Sequence, residues 1–208
     1  MKIIRNFTEV GTKVVAAALN YPSPAALSRK SPVIFLKPTS SYIKEGEKIR
    51  IPPGHNRVHY EVELGCVIGL RGKDIPIEEA LDYICGYTLG LDMTIFDRID
   101  MTKNIPWGIA KGFDTSCPVS RFIEKHELPN PENAALWLKI NQKMVHESNT
   151  KDMVFKIPDL ISYVSKFMTL EEGDLLLTGA AGAGPVYDGD VITCGLDEVV
   201  QMSFDVGN

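Results

Sequence analysis

The sequence predicts a β-rich α+β fold, a mixed and mostly antiparallel β-sandwich or roll. Short apolar runs of strand length recur along the chain, separated by turns rich in proline and glycine. The few segments with helical periodicity do not alternate regularly with the strands, which argues against a doubly wound parallel sheet. With 208 residues, no internal repeat and no low-complexity tail, residues 1–208 read as one domain. A chain of this length buries roughly 70% of its unfolded surface and needs no disulfide staples.

The elements follow in order. Residues 1–10 read as an extended entry. Residues 13–18 (KVVAAA) are a buried strand or one helical turn. Pro22, Pro24 and Pro32 deny regular structure to residues 19–32, so residues 1–32 comprise an N-terminal strand and a candidate lid loop. Residues 33–37 (VIFLK) form a strand stopped by Pro38. Residues 48–51 are a short strand, and residues 58–69 a long one. Residues 76–83 suit a short helix, with Pro76 in the first turn, Glu78 and Glu79 near the positive end, and Ile77, Ala80, Leu81 and Ile84 on one apolar side. Residues 86–93 are another strand, residues 94–102 a polar helical segment, and residues 107–118 a loop rich in small side chains. A hairpin over residues 137–147 turns at Asn141-Gln142-Lys143. Residues 158–167 carry the clearest helical stripe: Leu160, Ile161, Val164 and Phe167. Strands at 175–178, 191–194 and 199–206 close the chain, with a glycine-alanine loop at 179–184.

Composition excludes several classes. The net charge is −5 and the basic residues are scattered, so there is no footprint for nucleic acid or an anionic membrane. No apolar run reaches membrane-spanning length, and the first residues lack the apolar stretch of a signal peptide. Cys66, Cys85, Cys117 and Cys194 show no zinc-type spacing. A reducing compartment, cytoplasmic or mitochondrial, fits them.

The chemistry centres on His59-Tyr60-Glu61-Val62-Glu63-Leu64-Gly65. A strand has a side-chain period of two, so Glu61 and Glu63 share a face. Two like charges on a buried face repel and are costly to desolvate, and a hard divalent cation such as Mg²⁺, Mn²⁺ or Ca²⁺ would compensate them. The alternative is an edge strand whose glutamates face water. Asp92, at the end of a strand, is the natural third ligand, or else a cap for the segment after it. Three carboxylates would leave positions for a chelating keto acid, on which the metal acts as Lewis acid. Lys111, between apolar segments, could meet an anion or an enolate, or simply be solvated. His59 falls on the glutamate face in a supporting or core role. The loop 179–184 lacks the phosphate-loop ending, and close backbone approach to a small ligand at Gly179 suits it better.

Taken in one register, VIFLKP (33–38), EVELG (61–65), GYTLGLDMT (86–94), PWGIAKGFDTSCPVS (106–120) and ISYVSKFMTLEEGDLLLTG (161–179) resemble the fumarylacetoacetate hydrolase superfamily. The nearest group is that of acylpyruvases and oxaloacetate decarboxylases. The resemblance covers nearly the whole chain. It implies the mixed β-sandwich roll of that family's C-terminal domain, a homodimer, and Mg²⁺ or Mn²⁺ on Glu61, Glu63 and Asp92. It further implies Lys111 as the active-site lysine, and a small keto acid bound near Asn20, Tyr21 and Gly179.

The departures are specific. Pro24 and Leu27 stand where the family places a lid histidine and glutamate that activate water, and neither can move a proton. Phe96 replaces an arginine, Asp97 is retained, Ile99 replaces a glutamine, and Ala180 replaces a threonine in a loop one residue shorter. The sequence therefore supports a metal-dependent hydrolase or decarboxylase of acylpyruvate- or oxaloacetate-type keto acids. It also admits a silent paralogue that keeps the metal site, or a lyase or isomerase of the same fold.

Overall fold

The computed structural model describes residues 2–96 and 107–207. Its first half runs α1 (Phe7–Val10), β1 (Val14–Ala18), α2 (Pro24–Leu27), β2 (Val33–Lys37), β3 (Tyr42–Ile43), β4 (Lys48–Arg50), β5 (Arg57–Tyr60), β6 (Val62–Ile68) and β7 (Ile84–Leu91). After the second described stretch begins come α3 (Trp107–Gly112), β8 (Cys117–Pro118), β9 (Ile123–Glu124), β10 (Ala135–Ile140) and β11 (Lys143–Asn149). The chain closes with α4 (Ile157–Ser165), β12 (Leu175–Leu177), β13 (Gly184–Tyr187), β14 (Val191–Leu196) and β15 (Val200–Gly207).

A six-stranded sheet has the order β2-β1-β12-β6-β7-β9, and a five-stranded sheet the order β11-β10-β14-β15-β4. Within them β1–β12 and β15–β4 are parallel and the remaining pairs antiparallel. This is the mixed, mostly antiparallel roll that the strand pattern predicts. Among the described residues no helix is long and apolar enough to cross a membrane.

Strands β6 and β7 are buried along their whole length because both faces of the larger sheet are covered. Val62, Leu64, Cys66 and Ile68 face the main core, with Leu136 and Leu138 of β10, Ile192 of β14, Phe204 of β15 and Leu160 and Val164 of α4. The opposite face packs Val67 with Val14, Ala16, Phe35, Leu175 and Leu177. Continuous apolar runs are what a doubly covered sheet requires. The glutamates of the sequence motif interrupt this second face.

Several local expectations change. Residues 7–10 form a helical turn rather than an extended entry. The proline-rich stretch contains α2, in which the Ser23 hydroxyl accepts the Ala26 N–H and Pro24 takes the first position, where its missing N–H costs nothing. The long strand is two strands separated at Glu61. Residues 77–83 wind as a 3₁₀ helix. The predicted apolar side fails there: Ala80 and Ile84 are buried, but Ile77 is 48% and Leu81 41% exposed. Residues 107–112 are helical, not a loop. The segment expected as a helix over residues 94–102 lies mainly outside the described residues. The hairpin forms with a turn one residue tighter than expected: Asn141 and Gln142 are at positive φ, and Lys143 already pairs with Ile140.

Asp174 ties the parallel β1–β12 pair together. It is buried and accepts the N–H and hydroxyl of Thr12, both at 2.9 Å, the Lys13 N–H at 3.1 Å and the Glu171 N–H at 2.9 Å, and it pairs with the Lys13 ammonium. Asp174→Ala strands these donors. It is expected to cost about 3–5 kcal/mol in urea unfolding, and a loss below about 1 kcal/mol would contradict the assigned role.

Candidate active site

The site is built on the register of β6 against β7. Val62 pairs with Leu91 and Glu63 with Gly90. The same register continues outward: the Asp92 N–H donates to the Glu61 carbonyl at 2.8 Å, and His59 and Thr94 exchange backbone hydrogen bonds at 2.8 and 2.9 Å. The break at Glu61 therefore leaves the side-chain alternation intact. Cross-strand partners share a face, so Glu61, Glu63 and Asp92 point to the same side of the sheet, as the period of two requires.

Two lysines reach this cluster from neighbouring elements. Lys37, at the end of β2, is 1% exposed and bonds Asp92 Oδ1 at 2.6 Å. Lys111 lies on α3 and is 4% exposed, so the solvated-lysine alternative is excluded. Its ammonium bonds Asp92 Oδ2 at 2.5 Å and Glu61 Oε2, and sits 4.9 Å from the centre of the Phe35 ring. Tertiary anchors hold α3 helical despite its two glycines. Ala110 is buried, the Lys111 carbonyl accepts from the Ser116 hydroxyl at 2.9 Å and from Lys37, and Gly112 lies against Pro38.

Charge and burial set the protonation. Burial pushes Glu61 up to about 7, Asp92 adds to this, and Lys111 opposes it. Burial, then Asp92 and Glu61, push Glu63 well above the ordinary carboxylate range. Burial works to raise Asp92 as well, but Lys37 and Lys111 hold it below its usual value. Burial disfavours the Lys111 ammonium, yet Asp92 and Glu61 overcome this and keep it charged.

Asn20 and Gly179 cooperate around Glu63. Gly179 has φ +97°, and its N–H donates to Glu63 Oε2 at 2.6 Å. A Cβ there would lie 2.8 Å from the Asn20 Cβ and 3.1 Å from the Ala17 carbonyl oxygen. The Asn20 amide donates to the Thr178 carbonyl at 2.8 Å and the Phe155 carbonyl at 2.9 Å, and its oxygen accepts the Phe155 N–H at 2.8 Å. Its polar atoms are thus committed to shaping the loop that carries Gly179. The Tyr21 hydroxyl is buried without a hydrogen-bond partner among the described residues, and burial followed by the Glu63 charge raises its pKa.

The rim is less polar. Phe96 is 39% exposed and meets the His59 ring edge-on, centroids 4.7 Å apart. Leu27 is 66% exposed and Pro24 opens α2, so neither position offers a proton. Asp97 and Ile99 lie outside the described residues.

Lys37 is the site residue that sequence reasoning missed. Its signal was present: a lysine two positions after Phe35 on one strand shares that residue's buried face.

The donor set fits a hard cation. Three carboxylates, Glu61, Glu63 and Asp92, face two ammonium groups, and Glu63 has no ion pair among the described residues. Buried all-oxygen ligands suit Mg²⁺ or Mn²⁺, and a bound cation would replace the protons that burial favours on Glu61 and Glu63. As they stand, no three His, Cys, Asp or Glu side chains among the described residues gather closely enough to hold an ion, and Lys111 takes the place between Glu61 and Asp92.

Fold and site together define a β-roll enzyme scaffold with a buried carboxylate–lysine centre. The chain belongs to the fumarylacetoacetate (FAA) hydrolase C-terminal family, which it matches over residues 1–207. It is 44% identical to mouse (Mus musculus) oxaloacetate tautomerase FAHD1, mitochondrial, over 99% of this chain and 96% of that protein. It is 45% identical to the mitochondrial oxaloacetate decarboxylase of Dictyostelium discoideum, over 98% of this chain and 97% of the relative. Among solved structures it superposes on fumarylpyruvate hydrolase from Pseudomonas aeruginosa in complex with Mn²⁺ and pyruvate. The TM-score is 0.86 at 30% identity, covering 94% of this chain and 89% of that one.

Gly179→Ala should cost about 1–3 kcal/mol in thermal or urea unfolding, because it imposes both the wrong φ and a contact with Asn20. A wild-type unfolding midpoint would show that the loop does not hold Glu63 as described.

Proposed function

We propose that the protein is a divalent-cation-dependent enzyme that forms and stabilises the enolate of a small keto acid of the oxaloacetate or acylpyruvate type. Tautomerisation or decarboxylation is favoured over hydrolysis. The observation that carries this is the charged Lys111 ammonium buried between Glu61 and Asp92, beside Glu63.

A Mg²⁺ or Mn²⁺ ion on Glu61, Glu63 and Asp92 would supply Lewis-acid stabilisation of charge on the keto oxygen. Lys111 supports that charge with a preorganised ammonium in a water-poor site. In decarboxylation the C–C bond to the departing carboxylate breaks and CO₂ leaves; the bond's electron pair forms the enolate C=C, the carbonyl pair moves onto the keto oxygen, and the enolate is then protonated from solvent. In tautomerisation the C–H bond breaks, its proton passes to solvent water, its electron pair forms the C=C, and the enolate oxygen takes up a proton. Neither consumes a water molecule. Hydrolysis does, and Pro24 and Leu27 offer no base for it. Gly179 keeps Glu63 oriented, Asn20 keeps Gly179 in place, and Tyr21 brings a buried hydroxyl to the same neighbourhood.

The names of the relatives support the substrate class: oxaloacetate for the mouse and Dictyostelium proteins, and bound pyruvate with Mn²⁺ in the Pseudomonas structure. A cytoplasmic or mitochondrial setting and a homodimer belong to the same proposal. Four free, buried cysteines suit a reducing compartment.

A second reading is a binder without turnover, favoured by the inert Pro24 and the exposed Leu27. Enol–keto conversion and decarboxylation of oxaloacetate, measured with Mg²⁺ or Mn²⁺ against the metal-only background, separate the two. The expected result is clear acceleration, abolished by chelator and lowered about 10²–10³-fold in kcat by Lys111→Met. Thermal stabilisation by the keto acids with no acceleration would establish the silent binder instead.

A further inference from the structure

The two ammonium groups on Asp92 are placed differently. Lys111 lies at the inner face of the cluster, against Glu61 as well. Lys37 lies behind it, with its side chain wholly buried. The Lys37 ammonium has three acceptors: Asp92 Oδ1 at 2.6 Å, the Met93 carbonyl at 3.4 Å and the Lys111 carbonyl. An ammonium has three N–H bonds, so its capacity is filled by the protein. It reaches neither solvent nor a ligand.

Those contacts fix two parts of the site at once. Holding Oδ1 turns the other Asp92 oxygen, Oδ2, toward Lys111 and Glu61. Holding the Lys111 carbonyl sets where α3 ends, and so where the Lys111 side chain starts. Lys37 is itself fixed, since β2 pairs it with Val14 of β1 and Pro38 after it abuts Gly112.

We propose that Lys37 is a positioning residue for the reaction. It sorts the two oxygens of Asp92 and registers α3, so that Asp92 Oδ2 and the Lys111 ammonium are presented together to cation and substrate. This rests on the cation reading of Glu61, Glu63 and Asp92.

Electrostatics alone gives the opposite sign, which makes the proposal testable. A positive charge next to a ligand repels a cation, so removing it should tighten binding. A positioning role means that removing it weakens binding, as loss of partners that orient metal ligands does. The experiment is equilibrium Mn²⁺ binding, read from the electron paramagnetic resonance signal of free Mn²⁺, on wild type, Lys37→Met and Lys37→Gln. The Mn²⁺ Kd is expected to rise roughly 10–100-fold in Lys37→Met, and less in Lys37→Gln, which keeps an N–H donor. At saturating Mn²⁺, kcat should also fall in Lys37→Met because Lys111 loses its register. An unchanged or tighter Mn²⁺ Kd in a folded Lys37→Met overturns the proposal. If Lys37→Met does not fold, the sign of the change in Lys37→Gln decides in the same way. Wild type without Mn²⁺ binding would overturn the cation reading and this proposal with it, whereas wild-type binding retained in the variants overturns this proposal alone.

Discussion

The structure depends on one electrostatic constraint: three carboxylates and two ammonium groups held on a sheet face that is otherwise apolar. Desolvating these charges costs several kcal/mol per ion, and only close pairing and filled hydrogen bonds offset it. The pairing recruits elements far apart in sequence. Lys37 comes from β2, Lys111 from α3, Asp92 from the end of β7, and Gly179 from the loop after β12. Each element is shaped by what it delivers. Helix α3 forms from a glycine-containing stretch because its last turn is anchored on both sides. At residue 179 the loop takes a left-handed backbone and leaves no room for a side chain, which would meet Asn20. Glu63 is the carboxylate without an ion pair among the described residues, and burial makes its charged form costly, which a divalent cation would offset.

Much of this was legible in the sequence, because strand patterning is local. The period of two placed Glu61 and Glu63 on one face, and that alternation survives the strand break at Glu61. The strands of the 137–147 hairpin and helix α4 also followed from local signals, although Phe167, expected on the helix stripe, lies past its end and is 67% exposed. What escaped depends on tertiary contacts. Residues 107–112 looked like a loop because their helix is stabilised by Lys37, Ser116 and Pro38 rather than by propensity. Lys37 closes the strand 33–37, and its alternation with Phe35 marked the inward face; what it meets there depends on the packing of β2 beside β1 and α3. Asn20 reads as a ligand-facing amide in a motif, but its atoms close on the backbone of Thr178 and Phe155.

The chemistry separates into a charged floor and an inert rim. The floor holds Glu61, Glu63, Asp92, Lys37 and Lys111. Phe96 meets the His59 ring edge-on, and on α2 Leu27 projects outward and Pro24 takes the first helical position. Pro24 and Leu27 bring no base for water, which is why tautomerisation or decarboxylation is the favoured proposal. Family membership fixes the scaffold, and these rim positions adapt it.

The most direct measurement of the central claim is a crystal structure with Mn²⁺ and oxalate, the ion located by anomalous scattering. The account predicts one Mn²⁺ ligated by Glu61, Glu63 and Asp92, with Lys111 turned toward the oxalate and Lys37 still on Asp92 Oδ1. Mn²⁺ bound elsewhere, or Lys111 remaining between Glu61 and Asp92 at saturating Mn²⁺, would contradict it.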